Sequence, residues 1–527
     1  MKLFGLTGIV LLPALAWLFS QNRRIVKSRV LVWGVALQFL FAAIILSESV
    51  LSWVGMLILS YLILLYIFSP QLLENKTRLQ TVTRGILLLS AALLASAAFY
   101  YMDKAETALF LITFISVGII TFRLFKKGAW SKYLFAATLP AVLGVLVQRG
   151  IYGKQVFAWF SDLVTKFLKF ADKGSMFLFG NLADSAYFSQ YGFQFAFTVL
   201  PIIIYFSAIM SILYYYGIMQ AVVKMMAKFM KWTMGTSGAE TLSCSANIFV
   251  GQTEAPLLIK PFLNDMTESE IHAVMVGGFA TIAGSVLGGY IGLGVDAGHL
   301  ITASVMSAPA ALVMAKLLLP ETKLSQTAGD VTMPDIKRAD NLLDALTQGI
   351  TDGLKLAVNV GAMLIAFTAL IALVNSFFGF FDRMIDGRLL GGAINAITGE
   401  YSGFFPGSLK TLFGALFAPL AFAMGVPWGE AAAVGNLMGI KISLNEMLAY
   451  VELVKHINVG DLSNRSVIIA TYALCGFANF ASIGIQIGGI SALAPNRRPD
   501  IARVAFRAMC GGALASWLTA TIAGLII

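Results

Sequence analysis

Three consecutive polar side chains, Gln252, Thr253 and Glu254, stand inside an otherwise apolar stretch, with Gly251 before them and Pro256 after. A carboxylate at membrane depth costs about 2.5–3.5 kcal/mol on insertion scales, so it faces a protein cavity and a partner rather than lipid. The flanking Gly and Pro weaken the helix and free backbone carbonyls and amides, which predicts a re-entrant hairpin whose tip lines water. The simpler alternative is a buried ion pair between Glu254 and Lys260. A second segment, Gly425-Val426-Pro427-Trp428-Gly429-Glu430, again sets one Glu among Gly and Pro breakers. Related phrases follow each: Gly278-Phe279-Ala280-Thr281 after Glu254, and Gly476-Phe477-Ala478-Asn479 after Glu430. Both lead into a Gly pair, Gly288-Gly289 and Gly488-Gly489. Two such pairings predict an internal repeat.

Gln252, Thr253, Glu254, Glu430, Asn479 and Ser482, with Phe477 among them, supply carboxylate acceptors, amides, hydroxyls and an aromatic face. That inventory suits a neutral solute with hydroxyls and a flat ring. Phe477 reads equally well as ordinary helix packing. Broken apolar segments at corresponding positions of two halves point to a secondary transporter with its site at the midplane. Other chemistries find little support. Cys244, Cys475 and Cys510 show no CxxC spacing, and His272, His299 and His456 form no HExxH. A disulfide framework and a zinc site are therefore not expected. The lack of a nucleophile–His pairing argues against an intramembrane enzyme.

The elements that hold these residues follow from composition. Of 527 residues, 58% are hydrophobic and only 12% charged, roughly half the charged share of a soluble globular chain. With a mean hydropathy of +0.82, most of the chain has lipid for solvent, and a polytopic membrane protein is expected. The net charge of +10 does not signal nucleic acid, because Lys and Arg gather in short loops that set orientation. Apolar runs of spanning length lie near 3–19, 30–47, 51–68, 85–101, 108–124 and 131–148. The loops between them alternate between basic and non-basic, which fits an outside N-terminus. Arg23, Arg24, Lys27 and Arg29 follow Leu3–Phe19 at once, so that run reads as a retained span and not a cleaved signal. Residues 154–186 and 217–232 are amphipathic and read as interfacial helices around a span at 193–216. Broken apolar segments fill most of the remainder. A polar connector runs from Pro320 to Gly353, with a short amphipathic helix expected at 341–348.

Gly251-Gln252-Thr253-Glu254-Ala255-Pro256-Leu257-Leu258, the Gly278-to-Ile291 stretch, Ser307-Ala308-Pro309-Ala310-Ala311, Gly425-Val426-Pro427 with Glu430, and Phe477-Ala478-Asn479-Phe480 together resemble the concentrative nucleoside transporter family. The resemblance covers about 154–527 and includes 1–47 as an opening pair of helices. It implies an all-α membrane protein with two inverted repeats, each containing a re-entrant helical hairpin and a partly unwound transmembrane helix, plus interfacial helices. It further implies a multi-pass homotrimer in the cell membrane whose protomers import nucleosides by elevator-type movement. By the family's pattern, Gln252, Thr253, Glu254, Val286 and Phe477 contact the nucleobase, and Glu430, Asn479 and Ser482 hold the ribose. Co-transported sodium falls to Asn247, Thr281 and the carbonyls of Val250 and Ile282. Family members often carry Ser where this chain has Thr281, a change that keeps the oxygen. Proton-coupled relatives tend to lose the Asn and read Ser-Glu-Asn where this chain has Thr253-Glu254-Ala255, so sodium is favoured over a proton. No organic cofactor is implied. A non-transporting sensor is the remaining alternative.

The expected organisation is therefore an opening pair (1–47), an inserted set of about four spans (48–148), and interfacial and scaffold helices (149–239). Then come the first transport repeat (240–319), the connector (320–354), further scaffold and interfacial helices (355–404), the second repeat (405–490) and a C-terminal helix (491–527).

Overall fold

The computed structural model describes residues 2–74, 149–187, 194–327, 339–395 and 399–527, with a few further positions between 142 and 190. The expected spans at 85–101 and 108–124, and most of 131–148, lie outside the described residues. Every regular element among them is helical, and the sole β pairing is an isolated bridge between Ile394 and Tyr401. Among the described residues, five helices are long and apolar enough to cross a bilayer, or six if one bent pair counts as a span.

Two units divide the chain, one built from 1–38 and 161–525 and the other from 39–160. The smaller contains most of α3 and the neighbourhood of Tyr152, α1 being Lys2–Leu18, α2 Ser28–Leu46 and α3 Val50–Glu74. Trp53 stacks on Tyr152 with ring centroids 4.7 Å apart, and Glu48 pairs with Lys154 at 2.9 Å. Ser52 Oγ accepts the Gly153 amide at 2.9 Å. The chain before and after the intervening stretch thus meets at Ser52 and Gly153.

α4 (Gly153–Leu168) begins in the smaller unit and ends in the larger, which contains α5 (Phe170–Phe179) and α7 (Ile218–Met234) with α6 (Leu200–Tyr215) between these two; α4, α5 and α7 lie where the sequence is amphipathic. Arg29 donates to the carbonyls of Thr233 at 2.9 Å and Trp232 at 2.6 Å. A residue of the basic loop therefore also satisfies the orphan carbonyls at the end of α7. Next come α8 (Gly238–Ala246), α9 (Glu268–Ala280), α10 (Gly284–Gly292) and α11 (Ala297–Leu318). α12 runs unbroken from Leu342 to Asp382. This corrects the expected short helix at 341–348 and the connector boundary at 354. The Asn341 side chain caps Asp344 N at 2.9 Å, and no Pro follows to stop the helix before Asp382.

The chain continues through α13 (Leu409–Ala423), α14 (Trp428–Ser443), α15 (Glu446–Val459), α16 (Asn464–Leu474), α17 (Phe480–Leu493) and α18 (Arg498–Ile526). α11 and α18 are the central posts: 89% and 83% of their most apolar windows are buried, against 22% for the span containing α6 and 12% for α12. α1 reaches the core through glycine. A Cβ on Gly8 would stand 2.6 Å from the Ala423 carbonyl oxygen and 2.9 Å from Thr521.

Candidate functional site

Hairpin one begins at α8, whose first turn is closed by a capping box: Glu240 Oε1 accepts the Ser237 amide at 2.8 Å. α9 opens the same way through Thr267 and Glu270. The strap after α11 ties the two starts together. Thr327 Oγ1 donates to Glu270 Oε1 at 2.5 Å, while its carbonyl accepts the Gly238 amide at 2.9 Å. Lys316, at the end of α11, pairs with Glu240 at 2.6 Å and donates to Ser269 Oγ at 2.9 Å. These buried charges went unremarked in the sequence; they fix the base of the hairpin and lie apart from its tip.

After α8 the chain turns through 247–254 and descends as a 3₁₀ helix, Ala255–Phe262. Glu254 Oε2 accepts the Gly251 amide at 2.7 Å. Among the described residues Glu254 forms no ion pair with Lys260, so the simpler reading of that carboxylate does not hold. α9 and α10 are two halves of one apolar segment, broken at 281–283. The tip is tied to this break, for Phe249 O accepts Gly284 N at 3.2 Å. A Cβ on Gly284 would lie 2.5 Å from that same oxygen, so only glycine permits the approach.

α16 and α17 form the second broken pair, interrupted at 475–479. The two breaks bond to each other: Phe477 N donates to Thr281 O at 3.2 Å. Gly476 stands at the crossing with φ +147°, and a Cβ there would meet Phe279 O at 2.8 Å. The paired phrases of the sequence thus fall at the two interruptions, face to face.

From this crossing a chain of polar side chains runs between the hairpins. Gln252 Nε2 donates to Ser482 Oγ at 3.3 Å, and Gln486 Nε2 donates to Gln252 Oε1 at 3.0 Å. Asn479 caps α17, its Oδ1 accepting Ser482 N at 2.8 Å. Its Nδ2 donates to Glu446 Oε2 at 3.2 Å, and Tyr290 Oη of α10 donates to Glu446 Oε1 at 2.9 Å. Thr253 is partly buried against α17, where a Cβ on Gly489 would approach it to 2.7 Å. Val286 is buried on α10 and Phe477 half-buried at the break.

Glu430 is not in this chain. It sits in the first turn of α14, half-buried, accepting Ser463 N at 3.1 Å and Ser463 Oγ at 2.8 Å. Glu446 follows the other end of the same helix. At 1.5 Å per residue the part of α14 that runs from Glu430 to its end at Ser443 measures about 20 Å, so one site cannot use both. The 117° bend between α13 and α14, at the Gly425-Val426-Pro427 breaker, is the turn that led to Glu430. The turn at Leu444-Asn445 lacks Gly and Pro, and it is the one that delivers a carboxylate to the network. Sequence reasoning missed Glu446, Tyr290 and Gln486. The available signal was an Asn-Glu pair that caps and starts a helix between two apolar runs.

Asn247, buried at the end of α8, has neither side-chain oxygen nor side-chain nitrogen hydrogen-bonded. Thr281 Oγ1 donates to Gly277 O at 2.9 Å, leaving its lone pairs to accept, and Ile282 is buried in the break. An unsatisfied buried amide costs about 1–3 kcal/mol. A hard cation drawing on amide, hydroxyl and backbone oxygens, with Val250 in the adjoining tip, would satisfy the Asn247 side-chain oxygen. The donor set fits an ion of the sodium type.

Family models match most of the chain. A model described as the Na+ dependent nucleoside transporter N-terminus matches 7–62 and 111–182, one for nucleoside recognition 196–296, and one for the Na+ dependent nucleoside transporter C-terminus 299–524. The N-terminal match is thus interrupted at 63–110, a narrower interval than 48–148. An uncharacterized transporter of Haemophilus influenzae is 41% identical over 430 residues, covering 81% of this chain and 98% of that one. Sodium/nucleoside cotransporter 1 of Mus musculus is 40% identical over 466 residues, covering 84% of this chain and 67% of that one. The rat counterpart is 41% identical, and the chain spans 65% of its length. Among solved structures, CNTnw in an inward-facing substrate-bound state aligns with a TM-score of 0.72 at 32% identity, covering 99% of this chain and 97% of that chain. A variant of CNTnw in an outward-facing state aligns at 0.73.

Proposed function

This chain belongs to the Na+-dependent, concentrative nucleoside transporter family, and from that premise we propose that it imports nucleosides by sodium symport. The observation that carries the reading is the line Gln252–Ser482–Asn479–Glu446, which joins the two hairpins through amide, hydroxyl and carboxylate groups. A nucleoside offers the same chemistry, with ribose hydroxyls that donate and accept and a base edge that matches an amide. Its binding exchanges bonds between side chains for bonds to substrate, which avoids stripping bare polar groups of water. Gln252, Thr253, Glu254 and Val286 face the base, with Phe477 against the ring. Glu446, Asn479 and Ser482 take the ribose, Glu446 replacing Glu430 in that role.

Sodium binds at Asn247, Val250, Thr281 and Ile282, where the tip and the first break are tied together by Phe249 and Gly284. Ion occupancy then orders the half-site that reads the base, which couples the two cargoes. One charge crossing about 100 mV supplies about 2.3 kcal/mol, enough for roughly fiftyfold accumulation. In chain order, α8 with its 3₁₀ return, α9/α10 and α11 are followed by α14/α15, α16/α17 and α18. That order supports two repeats with one re-entrant hairpin each. The exposed apolar faces of α6 and α12 support a scaffold that meets lipid and sister protomers in a homotrimer, past which the remainder moves as an elevator.

Uridine uptake into proteoliposomes tests the reading. An inward sodium gradient is expected to drive accumulation and a proton gradient alone is not; the reverse result replaces sodium with a proton. Recovery of chemically unaltered radiolabelled uridine excludes an enzymatic conversion.

A further inference from the structure

Lys441 is fully buried in the last turn of α14, and the activity described so far makes no use of it. Its Nζ donates to the Ala473 carbonyl at 2.8 Å and to Ser516 Oγ of α18 at 2.8 Å. Ala473 is the penultimate residue of α16, whose carbonyl end points into the second break. That end is the negative pole of a half-helix, and its last carbonyls have no intrahelical partner. Burying an ammonium is costly unless it is well paired, so this position is built for a cation.

The first half presents the same situation with a different occupant. There, too, the end of a hairpin's first helix lies beside the end of a broken helix: Asn247 follows α8, and Thr281 follows α9. Asn247 is neutral, and its side-chain oxygen and nitrogen are both unpartnered. One half therefore offers oxygen ligands without a cationic side chain, and the other holds a lysine ammonium with its oxygen ligands in place. Broken-helix carbonyl ends are where coupling ions bind in transporters of this kind.

We propose that Lys441 is a tethered cation that holds, in the second half, the place a transported sodium takes in the first, so that one sodium moves per nucleoside. The proposal rests on the sodium reading above. It explains how one half-site stays assembled throughout the cycle while the other assembles only with the ion. Lys441 is a positioning residue: it orders the end of α16 and the Glu446 turn and does not touch substrate.

The test measures charge moved per uridine in voltage-clamped proteoliposomes, with the sodium order of uptake, for the wild-type chain and for Lys441→Ala. The wild type is expected to move about one charge per uridine with a Hill coefficient for sodium of about one. Lys441→Ala opens an anionic pocket of carbonyl and hydroxyl oxygens. Its uptake at ordinary sodium falls roughly tenfold, recovers severalfold at high sodium or with added methylammonium, and shows a sodium order rising toward two. An assembled Lys441→Ala protein with unchanged sodium order and no amine rescue overturns the proposal, whatever its rate. Should that variant not assemble, the wild-type ratio decides, since two charges per uridine overturns the tethered cation while leaving sodium symport standing. Wild-type uptake indifferent to sodium overturns both.

Discussion

The two ends of α14 each have a carboxylate beside them in opposite surroundings. Glu430, at the start, is half-buried and bonds to Ser463, the residue that caps α16. Glu446, past the other end, is buried and bonded to Asn479 of one broken segment and Tyr290 of the other. A carboxylate that caps a neighbouring helix can be replaced by another acceptor at small cost. A buried one that bridges two broken segments cannot. Flanking Gly and Pro mark a turn but do not say which turn faces the cavity.

Three substitutions press on this contrast. Glu446→Gln is expected to lower uridine uptake about 100-fold, from the loss of charge-assisted hydrogen bonds of about 1.5–3 kcal/mol, while the protein still elutes as an assembled species. Wild-type uptake in that variant moves the ribose site elsewhere. Tyr290→Phe removes one donor to Glu446 and leaves the ring stack on Tyr450, whose centroid is 4.6 Å away. Uptake is expected to fall roughly fivefold through the loss of about 1 kcal/mol, read as apparent uridine affinity at saturating sodium. A change confined to thermal stability gives Tyr290 a packing role only. Glu430→Gln keeps an acceptor for Ser463, so uptake is expected to stay within about twofold and Tm to fall by about 2 °C or less. Loss of transport in that variant at unchanged Tm erases the distinction between the two ends.

A similar contrast separates what was legible in the residues from what was not. Gln252, Asn479 and Ser482 stood out because polar groups in apolar sequence are costly, and the structure brings all three into one hydrogen-bonded line. The paired Gly-Phe-Ala phrases were legible because a broken helix needs small residues where backbones cross, as at Gly476 and Gly284. Glu446 escaped because Asn445-Glu446 looks like any helix start, and Lys441 because a lysine near a helix end usually reaches water.

The amino-acid sequence by itself determined the solvent, the helical class and the polar residues that lipid cannot tolerate, since transfer energies and helix breaking are local properties of the chain. Which of two glutamates joins the hydrogen-bonded line between the breaks, and which turn faces its counterpart, were decided only by tertiary packing. The physical reason is distance: Glu430 and Glu446 are 16 positions apart in sequence, and the length of α14 between Glu430 and Ser443 sets them about 20 Å apart. Gln252 and Ser482, 230 positions apart, meet at 3.3 Å because two broken helices cross beside them.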